Sequence, residues 1–160
     1  MNWSAIEMWS AYLVAHPEVA GEAGAAEVTA WSFGAGPEME TELAELVLAG
    51  TKRATASSLQ GLLVEGEPFP KVGVYSVILD GTGTARCVIR TTALTVAPFS
   101  AVPAEFAARE GEGDGSLPYW REGHRRFFGA EHESLGIPFD ETIPVVCEDF
   151  EVVWPEPTGQ

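Results

Sequence analysis

Tyr75-Ser76-Val77-Ile78-Leu79-Asp80-Gly81-Thr82-Gly83-Thr84-Ala85-Arg86-Cys87-Val88-Ile89-Arg90-Thr91-Thr92 is the stretch on which the architecture turns. Residues 75–79 read as a strand. Asp80-Gly81-Thr82-Gly83 is a hairpin signal. Residues 84–97 then read as a long strand, favoured by Val88, Ile89, Thr91, Thr92, Leu94 and Val96 and closed by Pro98. Working outward, Pro144–Trp154 is a further strand, and residues 52–58 are a short stretch rich in Ala, Thr and Ser. Helical signals surround these strands. Ser4-Ala5-Ile6-Glu7 matches a capping box, with Ile6, Trp9 and Leu13 at helical spacing and Pro17 as the stop. A second helix runs over residues 37–49, with Met39, Leu43, Leu46 and Val47 as its apolar stripe and Gly50 as a left-handed stop. Ser100–Arg109 forms a short helix with Phe106 inward, and Ser116 caps a longer one carrying Tyr119, Trp120, Phe127 and Phe128. Residues 18–36 are rich in Ala, Gly and Glu, with Trp31 and Phe33 as apolar anchors. Helices, then strands, then helices, then a strand predict an α+β fold: a small curved, barrel-like sheet with flanking helices.

Composition bounds the function. At 160 residues the chain suits one domain, and 46% hydrophobic residues are ample for a core. Nine Lys and Arg against 24 Asp and Glu give a formal charge of -15. Such a surface repels phosphate backbones, so duplex DNA and anionic membranes are disfavoured as partners. A local basic pocket remains compatible with one nucleotide or a short single strand. Cys87 and Cys147 sit in apolar runs and read as buried, reduced thiols. No run approaches the ~20 apolar residues of a membrane span, and the N-terminus lacks a basic start followed by an apolar stretch. The expected location is cytoplasmic.

The cations are unevenly placed. The first 51 residues hold eight glutamates and no Lys or Arg, and then the chain reads Gly50-Thr51-Lys52-Arg53-Ala54-Thr55-Ala56-Ser57-Ser58. A hydroxyl becomes a nucleophile when a neighbouring base removes its proton, and a lysine can be that base where burial or nearby positive charge favours the neutral amine. Arg53 supplies such a charge. The competing reading has Lys52 capping the C-terminal end of the second helix. Residues three apart on a regular strand point to opposite faces. Lys52 and Thr55 can therefore meet only if the chain breaks from strand geometry between them. The loop Glu110-Gly111-Glu112-Gly113-Asp114-Gly115 resembles the start of an EF-hand, but its twelfth position is Arg121 instead of glutamate, so no metal is expected. It reads either as a solvated acidic loop or as one carboxylate aimed inward. His16, His124 and His132 lack a metal-ligand spacing. Arg121, Arg125 and Arg126 read as a helix face, with phosphate or base contacts as the alternative. There is no phosphate loop, dinucleotide fingerprint or zinc cluster, and no cofactor is expected.

Several segments together resemble the ASCH domain family in its longer bacterial form. These are Trp31-Ser32-Phe33-Gly34, Glu42-Leu43-Ala44-Glu45-Leu46-Val47, Gly50 to Ser57, Glu67-Pro68 with Pro70-Lys71-Val72-Gly73, Glu110 to Asp114, and Pro144-Val145-Val146-Cys147-Glu148. The resemblance implies a PUA-like fold, a small pseudo-barrel associated with RNA. It also implies a division into an N-terminal helical extension (1–30), the ASCH domain proper (31–154) and a loose tail (155–160), with extension and domain in a single globular unit. Two activities are proposed in the family. One is removal of acyl groups from N4-acylated cytidine-type nucleosides by a Lys, Thr and Glu set. Here these map to Lys52, Thr55 and Glu110, with Glu112 as a neighbouring rival. The other is binding of single-stranded RNA, or its cleavage without a metal. Arg53 stands where the family often has Thr. On the first activity Thr55 is the nucleophile, Lys52 the base and Glu110 its support. Arg53, Ser57, Arg90, Glu112, Ser116 and Tyr119 are then the candidate substrate contacts, and the partner is a small modified nucleoside.

Overall fold

The computed structural model describes residues 1–157; of the tail expected at 155–160, residues 158–160 lie outside the described residues. In chain order the elements are α1 (Trp3–Ala15), α2 (Ala23–Ala26), β1 (Thr29–Trp31), α3 (Pro37–Leu48), β2 (Ala54–Ser58), α4 (Leu59–Glu65), β3 (Tyr75–Leu79), β4 (Ala85–Pro98), α5 (Ala104–Glu110), α6 (Leu117–Leu135) and β5 (Pro144–Trp154). Two 3-10 turns, Pro17–Gly21 and Phe99–Ala101, complete them. The fold is α+β, with a five-stranded sheet of order β1-β3-β4-β5-β2 and flanking helices. The chain divides into two compact units: Met1–Lys52, Lys71–Thr92 and the chain from Phe150 form the first, and Arg53–Pro70 with Ala93–Asp149 form the second.

The first unit is built on the predicted hairpin. β3 and β4 pair antiparallel, with Tyr75 opposite Arg90 and Val77 opposite Val88, and a bulge near Leu79. Asp80 organises the turn: its Oδ1 accepts the Thr82 and Thr84 N–H groups at 2.9 and 3.1 Å. The period of two sends alternate side chains to two cores. Tyr75, Val77 and Val88 join Ala5, Trp9, Tyr12, Val19 and Ala25. Ile78, Cys87 and Ile89 join Phe33, Leu43, Ala44, Val47 and Phe150. The N-terminal helices are therefore part of this unit's packing.

Three local expectations change here. The N-cap of α1 is Asn2, whose Oδ1 accepts the Ala5 N–H at 2.9 Å; Ser4 instead accepts the Ala85 N–H of β4 at 2.8 Å. The helix buries Ala5, Trp9 and Tyr12, which leaves Ile6 38% exposed. β1, a short Thr-Ala-Trp strand, pairs in parallel with β3, Thr29 opposite Ser76. Three residues carry too little alternation to announce a strand.

At the end of α1, His16 meets Glu156 through Nε2 and Glu18 through Nδ1. Its ring lies 5.0 Å from that of Tyr12 and 6.2 Å from that of Trp154. The Glu156 hydrogen bond, ahead of the charges of Glu156 and Glu18, raises the His16 pKa above its ordinary value. A raised folded-state histidine pKa adds stability that is fully present below about 6.5, the unfolded value, and lost as pH rises through the folded value. The melting-temperature difference between the wild type and His16→Gln should thus be larger near pH ~5.5 than near pH ~9. A difference that does not vary with pH would refute the contact.

In the second unit β2 pairs antiparallel with β5, from Ala54 opposite Asp149 to Ser58 opposite Val145. Ala54, Val145 and Cys147 pack with Phe99, Val102, Phe106, Ala107, Trp120, Phe128 and Ile143. Phe106 faces inward as expected, whereas Tyr119 and Phe127 on α6 are 52% and 53% exposed. α4 follows β2 directly and had no counterpart in the sequence reading. Ser58 caps it, accepting the Gly61 N–H at 3.0 Å. The same hydroxyl lies 2.6 Å from His132 Nε2, while His132 Nδ1 lies 2.8 Å from the Pro138 carbonyl. A carbonyl only accepts, so Nδ1 carries the ring proton and Ser58 donates to Nε2. Arg121 donates to the Phe99 and Val102 carbonyls, and Arg125 pairs with Glu141.

Both cysteines are free and buried, and burial pushes each thiol up to about 12. Among the described residues no helix is long and apolar enough to cross a membrane. No group of three or more His, Cys, Asp or Glu able to hold a metal occurs among them.

Candidate functional site

In the first unit the candidate group is Lys52. α3 ends in a Schellman motif: the Gly50 N–H donates to Val47 O at 3.0 Å, and the Thr51 N–H to Leu46 O at 2.9 Å. Gly50 has φ +81, where a β-carbon would be strained. This reversal carries the Lys52 N–H back to the same Leu46 carbonyl, at 3.0 Å. The backbone of Lys52 therefore serves as a cap. Its side chain is 1% exposed, and Nζ stands 5.2 Å from the Phe33 ring centroid. Phe33 is itself fixed by Trp31 at 4.5 Å and by a stacked Phe150 at 5.6 Å. A cation over a ring regains about 2 kcal/mol when desolvated, against a burial cost of several kcal/mol per ion. Cation–π attraction alone does not account for placing a lysine there.

In the second unit the candidates are Thr55 and Glu110. β2 starts at Ala54, so residues 52–55 are not one regular strand. Ala54 and Ala56 turn to the core of this unit, which puts half-buried Thr55 and Ser57 on the other face of β2. Glu110 is the last residue of α5, ahead of Gly111 in the left-handed region, and is 1% exposed. Its Oε1 accepts the Trp120 indole N–H at 3.0 Å and lies 3.2 Å from His124 Nε2. The His124 and Trp120 rings stack, with centroids 4.2 Å apart and planes at 15°. His124 Nδ1 is 2.9 Å from the Trp120 carbonyl. Both imidazole nitrogens thus face oxygen atoms. Glu110 is thus built into a group with Trp120 and His124.

The remaining sequence candidates are placed as follows. Glu112 is half-buried and Arg53 exposed, with the Arg53 N–H on the Arg109 carbonyl at 2.7 Å. Ser116 caps α6, accepting the Tyr119 N–H at 3.2 Å. The Tyr119 ring lies against Gly113, where an added β-carbon would come within 2.3 Å of it. Arg90 lies on the Val88 side of β4, opposite the side that carries Cys87 and Ile89. Trp120 and His124 were missed as functional partners. Their i, i+4 spacing on the helix that follows the acidic loop is the available signal.

The family model of the ASCH domain matches residues 29–154. Among solved structures, the ASCH domain from Lactobacillus crispatus JV V101 superposes with a TM-score of 0.90 at 35% identity, over 96% of each chain. Protein EF3133 from Enterococcus faecalis V583, of the family model DUF984, superposes with a TM-score of 0.82 at 36% identity, over 96% of this chain and 90% of that one. Proteins of curated function give no match. With more than half of its length under the family model, and the α+β fold in common with these structures, the chain belongs to the ASCH domain family.

Proposed function

We propose that this chain is an amidohydrolase that removes the acyl group from N4-acylated cytidine-type nucleosides. The observation that carries the reading is the burial of two ionisable side chains, Lys52 and Glu110, each 1% exposed. Buried ionisable groups are costly and cluster at functional sites. In the proposed reaction the neutral Lys52 amine takes the Thr55 hydroxyl proton, and Oγ1 attacks the acyl carbon. The tetrahedral intermediate collapses with cleavage of the carbon–N4 bond. The departing N4 takes the proton back from Lys52, leaving cytidine and an acyl-Thr55 ester. Water, deprotonated by Lys52, then cleaves the ester. In this reading Glu110 is the carboxylate that supports the lysine through its cycle. A small neutral nucleoside is also the substrate class that suits a chain of charge -15.

A second reading, single-stranded RNA binding, is favoured by the exposed rings of Tyr119 and Phe127 with Arg126 on the same helix. One assay separates the two. The purified chain is incubated with N4-acetylcytidine, and cytidine and acetate are followed by chromatography. Parallel titrations use a single-stranded RNA at low and high salt. Turnover of the nucleoside supports the hydrolase. An intact nucleoside together with salt-dependent RNA binding would displace it.

A further inference from the structure

We propose that Arg90 is a receptor for an oxyanion, a carboxylate or a phosphate monoester, at a second ligand site of the first unit. In a chain with 24 carboxylates, Lys71, Arg86, Arg109, Arg121 and Arg125 are each held by an acid or by carbonyls. Lys71 pairs with Glu27 at 3.1 Å, Arg86 with Glu45 at 2.6 Å, Arg109 with Asp149 at 2.7 Å and Arg125 with Glu141 at 2.7 Å. Arg121 is held by two carbonyls. Arg90 is different. It is half-buried, and its Nε is sheltered from solvent with no hydrogen-bond partner among the described residues.

The surroundings keep it that way. The guanidinium carbon stands 5.8 Å from the Tyr75 ring centroid, so an aromatic face lies where a carboxylate would be expected. The hydroxyl of that ring is itself engaged, donating to Glu22 at 2.7 Å. Gly73, at φ +91, is the neighbour of Nη2, and a β-carbon there would stand 3.7 Å from it. The Gly73 N–H is fixed on the Thr91 carbonyl at 2.8 Å, so this backbone is held beside the guanidinium with no side chain to cover it. A guanidinium with a ring on one face and an unfilled Nε donor matches a planar pair of oxygens, which take Nε and an Nη together. The acidic surface selects for small anions over polyanions. Arg90 shares its side of β4 with Val88, so this site goes beyond the roles given to Lys52, Thr55 and Glu110.

The test is NMR of the arginine Nε–Hε groups in the full 15N-labelled chain, with the Arg90 signal assigned by its loss in Arg90→Lys. Inorganic phosphate and acetate are titrated against sodium chloride at equal ionic strength. A saturable shift of the Arg90 signal with phosphate or acetate, absent with chloride, is expected. Phosphate alone acting indicates a phosphate ester, and acetate alone a carboxylate. By calorimetry Arg90→Gln should weaken that binding at least about tenfold, with Arg125→Gln unchanged. No saturable shift with either anion overturns the proposal, and the wild-type titration decides even if Arg90→Gln fails to fold.

Discussion

Lys52→Met is expected to lower N4-acetylcytidine hydrolysis by about a thousandfold or more, because the variant keeps the length and apolar stem of the side chain and removes the amine. The residue sits over Phe33 with 1% exposure, so methionine fills the same apolar surroundings. A thermal melt taken alongside shows whether the fold is retained. Thr55 gives the complementary arm. Thr55→Ser retains a hydroxyl and should keep measurable turnover and an acyl-enzyme detectable by mass spectrometry. Thr55→Ala should lose both, with stability changed by less than about 1 kcal/mol, since the residue is only half-buried. Turnover in Lys52→Met or Thr55→Ala within about threefold of wild type would remove these residues from the chemistry, because a positioned base or nucleophile contributes far more.

Glu110→Ala is expected to destabilise the protein by about 3 kcal/mol, which for a chain of this size lowers the melting temperature by roughly 6–12 °C. The physical reason is what the substitution leaves behind. The buried Trp120 indole N–H loses its Oε1 acceptor, and His124 Nε2 loses the oxygen it faces. Glu110→Gln keeps an amide oxygen for the indole while discarding the charge, so it should cost about 1 kcal/mol. Its larger effect should be on turnover, since the proposed reaction gives Glu110 an electrostatic role. Glu112→Gln should retain most activity, which distinguishes the two glutamates of the loop. A Glu110→Ala melt within about 0.5 kcal/mol of wild type would mean that the buried pair is unimportant to stability.

The elements legible in advance were those whose signal is local. Gly50 after an apolar stripe announced the end of α3, and Asp80-Gly81-Thr82-Gly83 between two β-branched runs announced the hairpin. β5 was found at its full extent, from Pro144 to Trp154. What escaped was decided by distant partners. β1 is a strand because β3 offers it an edge, and α4 forms where Ser58 supplies a cap and α6 a surface through His132. Ser4 looked like a cap, yet Asn2 occupies that position because its oxygen reaches the Ala5 N–H and Ser4 is drawn to β4.

The same division runs through the candidate site. The order Gly50 to Ser57 singled out Lys52 and Thr55 as candidates beyond a left-handed stop, because motif spacing and such a stop are properties of neighbouring residues; Glu110 joined them through the family resemblance. Tertiary structure alone decided that Lys52 is buried on Phe33, that Glu110 meets the Trp120 indole and His124, and that Arg90 turns to Tyr75. Burial and pairing depend on which side chains the folded backbone brings together, and these partners lie ten or more positions apart in the chain.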